Sequence, residues 1–152
     1  MKFVATEDIR APREEVWPHV ADIDRWEGMI AAKTKRLDRR PPGPAAVGTT
    51  WDARASIRDK DRDVTARLVR MDEPGRLTFE TRTDGMEVTF DVMLEEKGPH
   101  MTRLSVVTEA KAKSLTARLL LQSAKLARGQ MAKRYKARVA AFAARLEGDR
   151  KA

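Results

Sequence analysis

The chain has 152 residues, 36% of them charged and 41% hydrophobic, with no cysteine and only two histidines. That length fits one domain with a single hydrophobic core, expected over residues 1–148 with a disordered tail at 149–152. The composition excludes disulfides, thiolate nucleophiles and cysteine-ligated metal centres; His19 and His100 stand in no HxxxH or HxH spacing, so neither a metal nor another cofactor is expected.

In chain order, residues 2–10 read as a strand, with Phe3, Ala5 and Ile9 at its apolar positions. Pro12 then suits the first turn of a short helix, and Glu14 and Glu15 suit the positive end of its dipole. Val16, Val20 and Ile23 give that segment an apolar stripe, Asp22 and Asp24 mark a break, and Trp17 and Trp26 are expected in wall and core. Residues 30–39 read as a second, polar strand. Pro41-Pro42-Gly43-Pro44 is a rigid turn rather than a domain linker.

From Val47 onward the period is two. Trp51, Ala53, Ala55 and Ile57 alternate with polar neighbours, as do Val64, Ala66 and Leu68, then Leu77, Phe79 and Thr81. Asp84-Gly85 is the strongest hairpin signal in the chain. Met86, Val88, Phe90, Val92 and Leu94 follow in strict alternation, and Thr102, Leu104, Val106 and Thr108 form the last strand. Short strands joined by tight turns predict a meandering antiparallel sheet with one apolar face.

A single long helix is expected to cover that face, from an N-cap at Ser114 to a stop at Gly148. Leu120, Leu121, Ala124, Met131, Tyr135, Val139, Phe142 and Leu146 recur at helical spacing on one side. Gly129 is expected to permit a bend or a close approach beside the cavity. The fold class is therefore α+β: a curved antiparallel sheet of six to seven strands around a long C-terminal helix.

Many inward strand positions are small: Ala53, Ala55, Ala66, Thr81, Thr83, Thr102 and Thr108. A solid core would carry larger side chains there. Two readings stay open: unfilled space ringed by Trp51, Phe79, Phe90, Met131 and Tyr135, or a helix that approaches closely and fills the gap. In the first, the Thr and Tyr135 hydroxyls are the polar handles of an apolar pocket.

The order of these elements resembles the START-related helix-grip superfamily (SRPBCC), in its polyketide cyclase/dehydrase and lipid-transport branch. The residues that carry the resemblance are Ala11-Pro12-Arg13-Glu14-Glu15-Val16-Trp17 after the first strand, Asp22 to Trp26, and Val47-Gly48-Thr49 before the Trp51 strand. Met71-Asp72-Glu73-Pro74-Gly75-Arg76-Leu77 and Thr102-Arg103-Leu104 before the last helix complete it. The resemblance spans essentially the whole chain and implies two short helices after the first strand. It implies a small hydrophobic ligand or lipid bound between sheet and helix; the alternative is a cyclase or dehydratase-type enzyme using the same space. Fold alone does not choose between them.

The ligand-binding residues expected on this reading are Trp51, Ala53, Ala55, Ala66, Phe79, Thr81, Val88, Phe90, Leu104, Thr108, Arg128, Met131 and Tyr135. No catalytic residue is assigned, since Arg128 and Tyr135 have no evident partner and Glu7 and Glu109 form no paired-carboxylate signature. The net charge of +8 resides in residues 111–152, which hold 12 Lys/Arg against 2 Asp/Glu. A solvated face is the simplest reading of that segment, and an anionic membrane surface is the partner it would fit. Nucleic acid is not expected, because Tyr135 and Phe142 are the helix's aromatic residues and both sit on its apolar side. No apolar run reaches ~20 residues and no signal-peptide pattern is present, so the expected location is the cytoplasm. The oligomeric state is not legible.

Overall fold

A computed structural model describes residues 1–57 and 59–151, the side chains of residues 149–151 excepted. The strands are β1 (Lys2–Ile9), β2 (Arg36–Arg40), β3 (Thr50–Ile57), β4 (Lys60–Asp72), β5 (Arg76–Thr83), β6 (Met86–Gly98) and β7 (Met101–Ala112). The helices are α1 (Arg13–Val20), α2 (Ile23–Ala31), α3 (Leu115–Lys125) and α4 (Arg128–Lys151). All seven strands join one antiparallel sheet in the order β1-β7-β6-β5-β4-β3-β2. Five hairpins run along it, and only β1 crosses over, to lie beside β7.

The turns follow their local chemistry. Asp84 and Gly85 both take positive φ, at 42° and 74°, as a two-residue hairpin requires. Gly85 is also pressed on: a Cβ there would stand 2.4 Å from Ser114 Oγ, so the β5–β6 turn packs on the start of α3. Ser114 caps α3 as expected, accepting from Ala117 N at 3.1 Å. Asp22 caps α2 in the same way, accepting from Arg25 N at 3.3 Å.

The inward parity of the sheet is fixed by what it touches. Ile9, Leu68, Leu77, Leu94 and Leu104 are buried together with Val16, Trp17, Val20 and Ile23 of the short helices and Val139, Ala143 and Leu146 of α4. This packed core occupies the end of the sheet where α1 and α2 meet the C-terminal half of α4. Arg10 N donates to Glu147 Oε1 at 2.9 Å, and the Trp26 and Phe142 rings meet at 5.3 Å, tying that half of the helix down.

Three expectations are corrected. The C-terminal helical segment is broken at Leu126-Ala127 into α3 and α4. Gly129 lies just past the break, and a Cβ on it would meet nothing within 4 Å, so no close approach requires it. The second strand starts at Arg36, because residues 30 and 31 finish α2. Gly148 does not stop α4, which runs to Lys151; the side chains of the tail expected at 149–152 lie outside the described residues. Among the described residues no helix is long and apolar enough to cross a membrane.

Candidate functional site

Strand register places the inward residues in rows across the sheet. One row reads Phe3, Thr108, Phe90, Phe79 and Leu68, and the next reads Ala110, Val88, Thr81, Ala66, Trp51 and Arg39. The second row is built mostly from small side chains. α4 packs chiefly on β1, at one edge.

Exposure shows the result. Phe90 lies inward on a strand with β7 and β5 on either side, yet it is 38% exposed, and Met131 on the helix above is 36% exposed. Val88, Thr81, Ala66 and Ala55 are half-buried. The inner face is thus open and apolar at Phe90, a trough in the sheet's surface. Val88, Phe79, Thr81 and Ala66 flank Phe90 on that face, and Tyr135 of α4 reaches it at Thr108, with Met131 one helical turn earlier.

Tyr135 supplies a polar group there. Its hydroxyl is 3.0 Å from Thr108 Oγ1, and its ring stands 5.7 Å from that of Phe3. Burial pushes the phenol above its ordinary pKa, with the Thr108 hydrogen bond opposing. It is a neutral donor and acceptor at physiological pH, not a base.

Further across the same face is Trp51, which is buried against Phe79 at 5.8 Å between ring centroids. Trp51 Nε1 donates to Glu27 Oε2 at 2.7 Å, and Arg39 Nε donates to the same oxygen at 2.6 Å. Arg39 also donates to Asp24 and to the Gly43 carbonyl, and lies over the Trp51 ring. Hydrogen bonds to Asp24 and then Glu27 raise the Arg39 pKa above its ordinary value, against the effect of burial. This cluster fastens α2 to β2 and β3. Sequence reading missed it, although Arg39 shares the inward parity of Leu37 and was visible as a charge out of place. Arg62 is a second inward cation: it pairs with Asp84 and donates to the Ile57 carbonyl at 3.2 Å. With the Thr83 hydroxyl donating to the Asp63 carbonyl at 2.9 Å, it joins the tips of the β3–β4 and β5–β6 hairpins at the trough's rim.

Not every expected residue comes to the trough. Leu104 is 1% exposed and belongs to the packed core. Ala53 is buried further along β3. Arg128 is exposed, and its Nη2 donates to the Lys2 carbonyl at 3.4 Å, on the outer side of the α4–β1 seam. Thr102 is fully buried and donates to the Ala11 carbonyl at 2.7 Å, so its hydroxyl is no handle for a ligand. Two surface hollows, of about 480 and 300 Å³, lie elsewhere. The larger is on the outer face among Arg36, Asp38, Arg40, Asp52 and Asp63, and the smaller sits by the β5–β6 turn among Arg82, Asp84, Glu87 and Lys113. Both are ringed by charges, unlike the trough.

A curved antiparallel sheet around a C-terminal helix, with two short helices after the first strand, defines a helix-grip protein. The chain belongs to the polyketide cyclase/dehydrase and lipid transport family, whose model matches residues 1–147. It is similar in structure to norcoclaurine synthase from Thalictrum flavum in complex with dopamine and hydroxybenzaldehyde, at 11% identity and a TM-score of 0.68, over 100% of this chain and 88% of that one. It is similar to the Zhui aromatase/cyclase of Streptomyces sp. R1128, at 13% identity and a TM-score of 0.64, over 97% and 93% of the two chains. A protein of Thermus thermophilus matches at 15% identity and a TM-score of 0.62, over 98% and 99%. At these identities the likeness is one of fold. No curated protein is matched by the sequence.

Proposed function

We propose that this protein binds a small, largely hydrophobic molecule in the trough between β4–β6 and α4. The observation that carries the reading is the exposure of Phe90, an inward aromatic residue near the middle of the sheet. Folding covers such positions when it can, because apolar burial is its main favourable term. An uncovered one paired with Phe79 and two residues from Val88 on the same strand is apolar surface reserved for something else. The Tyr135–Thr108 pair offers one or two hydrogen bonds to orient a polar end of the ligand.

A cyclase or dehydratase using the same trough is the second reading. It needs an acid or base whose pKa is matched to its task. The Tyr135 phenol has a raised pKa, which leaves it only the role of acid, and the Glu27 and Asp84 carboxylates nearby are held by Arg39 and Arg62. Binding without chemistry is therefore favoured. Native mass spectrometry of protein purified from its own host tests this. A hydrophobic adduct is expected on the wild type and is expected to be lost from Phe90→Asp, which puts a charge on the trough floor. An adduct retained by a folded Phe90→Asp variant would overturn the assignment.

A further inference from the structure

Helix α3 turns its apolar side the wrong way for a globular protein. Ala117 and Ala124 form its packing face and are buried. At ~100° per residue, Leu115, Leu119, Gln122 and Leu126 fall within about 60° of one another on the opposite side. The three leucines are 74%, 59% and 91% exposed. Leu126 keeps helical backbone angles, at φ −65° and ψ −29°, so the stripe continues into the break before α4. Nothing among the described residues covers it.

The chain on either side of it is cationic. Between Glu109 and Glu147 the sequence has ten Lys/Arg and no Asp or Glu. Arg118 and Lys125 lie on one flank of the leucine stripe, and Arg128 follows the break. Among the described residues neither Arg118 nor Lys125 has an ion-pair partner, whereas cations on the sheet are widely paired. Single leucines spaced along a convex helix, beside unpaired cations, are the pattern of a helix that lies in a membrane interface.

We propose that α3 and the α3–α4 break dock this protein on an anionic lipid surface, with Leu115, Leu119 and Leu126 entering the headgroup–acyl boundary and Arg118 and Lys125 meeting lipid phosphates. One further feature favours a membrane over a second copy of the chain. A symmetric leucine-to-leucine contact would bring the flanking cations of two copies together, which costs energy. The docking itself does not depend on what the trough holds.

Co-sedimentation of the full chain with phosphatidylcholine vesicles, with and without phosphatidylserine, tests it. Binding is expected to be at least about tenfold tighter to the anionic vesicles, since each basic residue near such a surface adds to the attraction. It is expected to weaken with salt. Leu119→Ser with Leu126→Ser, and separately Arg118→Gln with Lys125→Gln, are each expected to lose most of the anionic binding. All four residues are exposed, so circular dichroism and thermal melting should be unchanged. Absence of binding to either vesicle, equal binding to both, or wild-type binding by the leucine pair overturns the proposal. A concentration-dependent dimer abolished by the leucine pair, without vesicle binding, assigns the stripe to self-association instead.

Discussion

Replacing Phe90 by alanine separates an open trough from a filled core. A phenylalanine enclosed on all sides loses about 3–5 kcal/mol on truncation, because the forfeited transfer energy is joined by the cavity left behind. Phe90 is 38% exposed. Full burial of such a side chain is worth about 1.5–3 kcal/mol, so its covered part contributes about 1–2 kcal/mol. No sealed void follows its removal, since the site already opens to water. On the ligand side, about 40 Å² of ring face at about 25 cal/mol per Å² gives about 1 kcal/mol, or about fivefold in Kd. Urea melts and titration with a fluorescent fatty-acid analogue read the two quantities separately. Leu104→Ala is the counterpart: at 1% exposure it should cost about 2–5 kcal/mol and leave affinity nearly unchanged once the protein is folded. A Phe90→Ala loss above about 3 kcal/mol with no change in Kd would refute the reasoning, because that is how a plugged interior behaves.

Three further outcomes follow from named groups. Burial raises the Asp91 pKa, but hydrogen bonds from Arg76 and Thr78 outweigh it and leave the carboxyl below its ordinary value. Asp91→Ala should therefore cost about 1.5–3 kcal/mol near neutral pH. A depressed folded pKa stabilises above the unfolded value of about 3.9 and loses that effect as pH falls through the folded one, so wild type and variant should converge in acid melts. Tyr135 is the chain's one tyrosine, which makes phenolate absorbance a report on a single group. Its titration midpoint should lie above 10.0 in the folded protein and return to about that value in denaturant. Because the shift is upward, stability is expected to fall as pH rises past about 10. Gly129→Ala should leave stability unchanged or raise it by up to about 1 kcal/mol in thermal melts, because the added methyl meets nothing within 4 Å.

The sheet was largely readable because its signals are local. Period-two alternation from Trp51 to Leu68, the Asp84-Gly85 turn and the Ser114 cap each depend on a few neighbouring residues, and the structure uses all of them. The small inward row was readable too, in Ala66 and Thr81. Whether it was hollow or filled was not, because that depends on where a helix over fifty residues later comes to rest. α4 rests chiefly on β1, and no periodicity within the helix encodes that offset. The break at Leu126-Ala127 escaped notice for a related reason: neither residue disfavours helix, so its cause is not local composition. Arg128 shows the limit of helical phase as a guide. It lies near the inward stripe on a wheel, but beside the break it reaches the edge of β1 instead. The Glu27–Arg39–Trp51 cluster joins residues 12 and 24 positions apart, which only the packing of α2 on β2 and β3 brings together.

The most direct measurement is a ¹³C-methyl methionine spectrum recorded while a hydrophobic probe is added. The chain's seven methionines report on different surfaces. Met131 lies on α4 one turn before Tyr135, which meets Thr108 of the inner face, whereas Met93 has the opposite, outward parity to Phe90 on β6. A ligand seated beneath α4 should move the Met131 resonance saturably and leave that of Met93 in place. A shift of Met93 with Met131 unmoved would put the binding surface on the wrong side of the sheet.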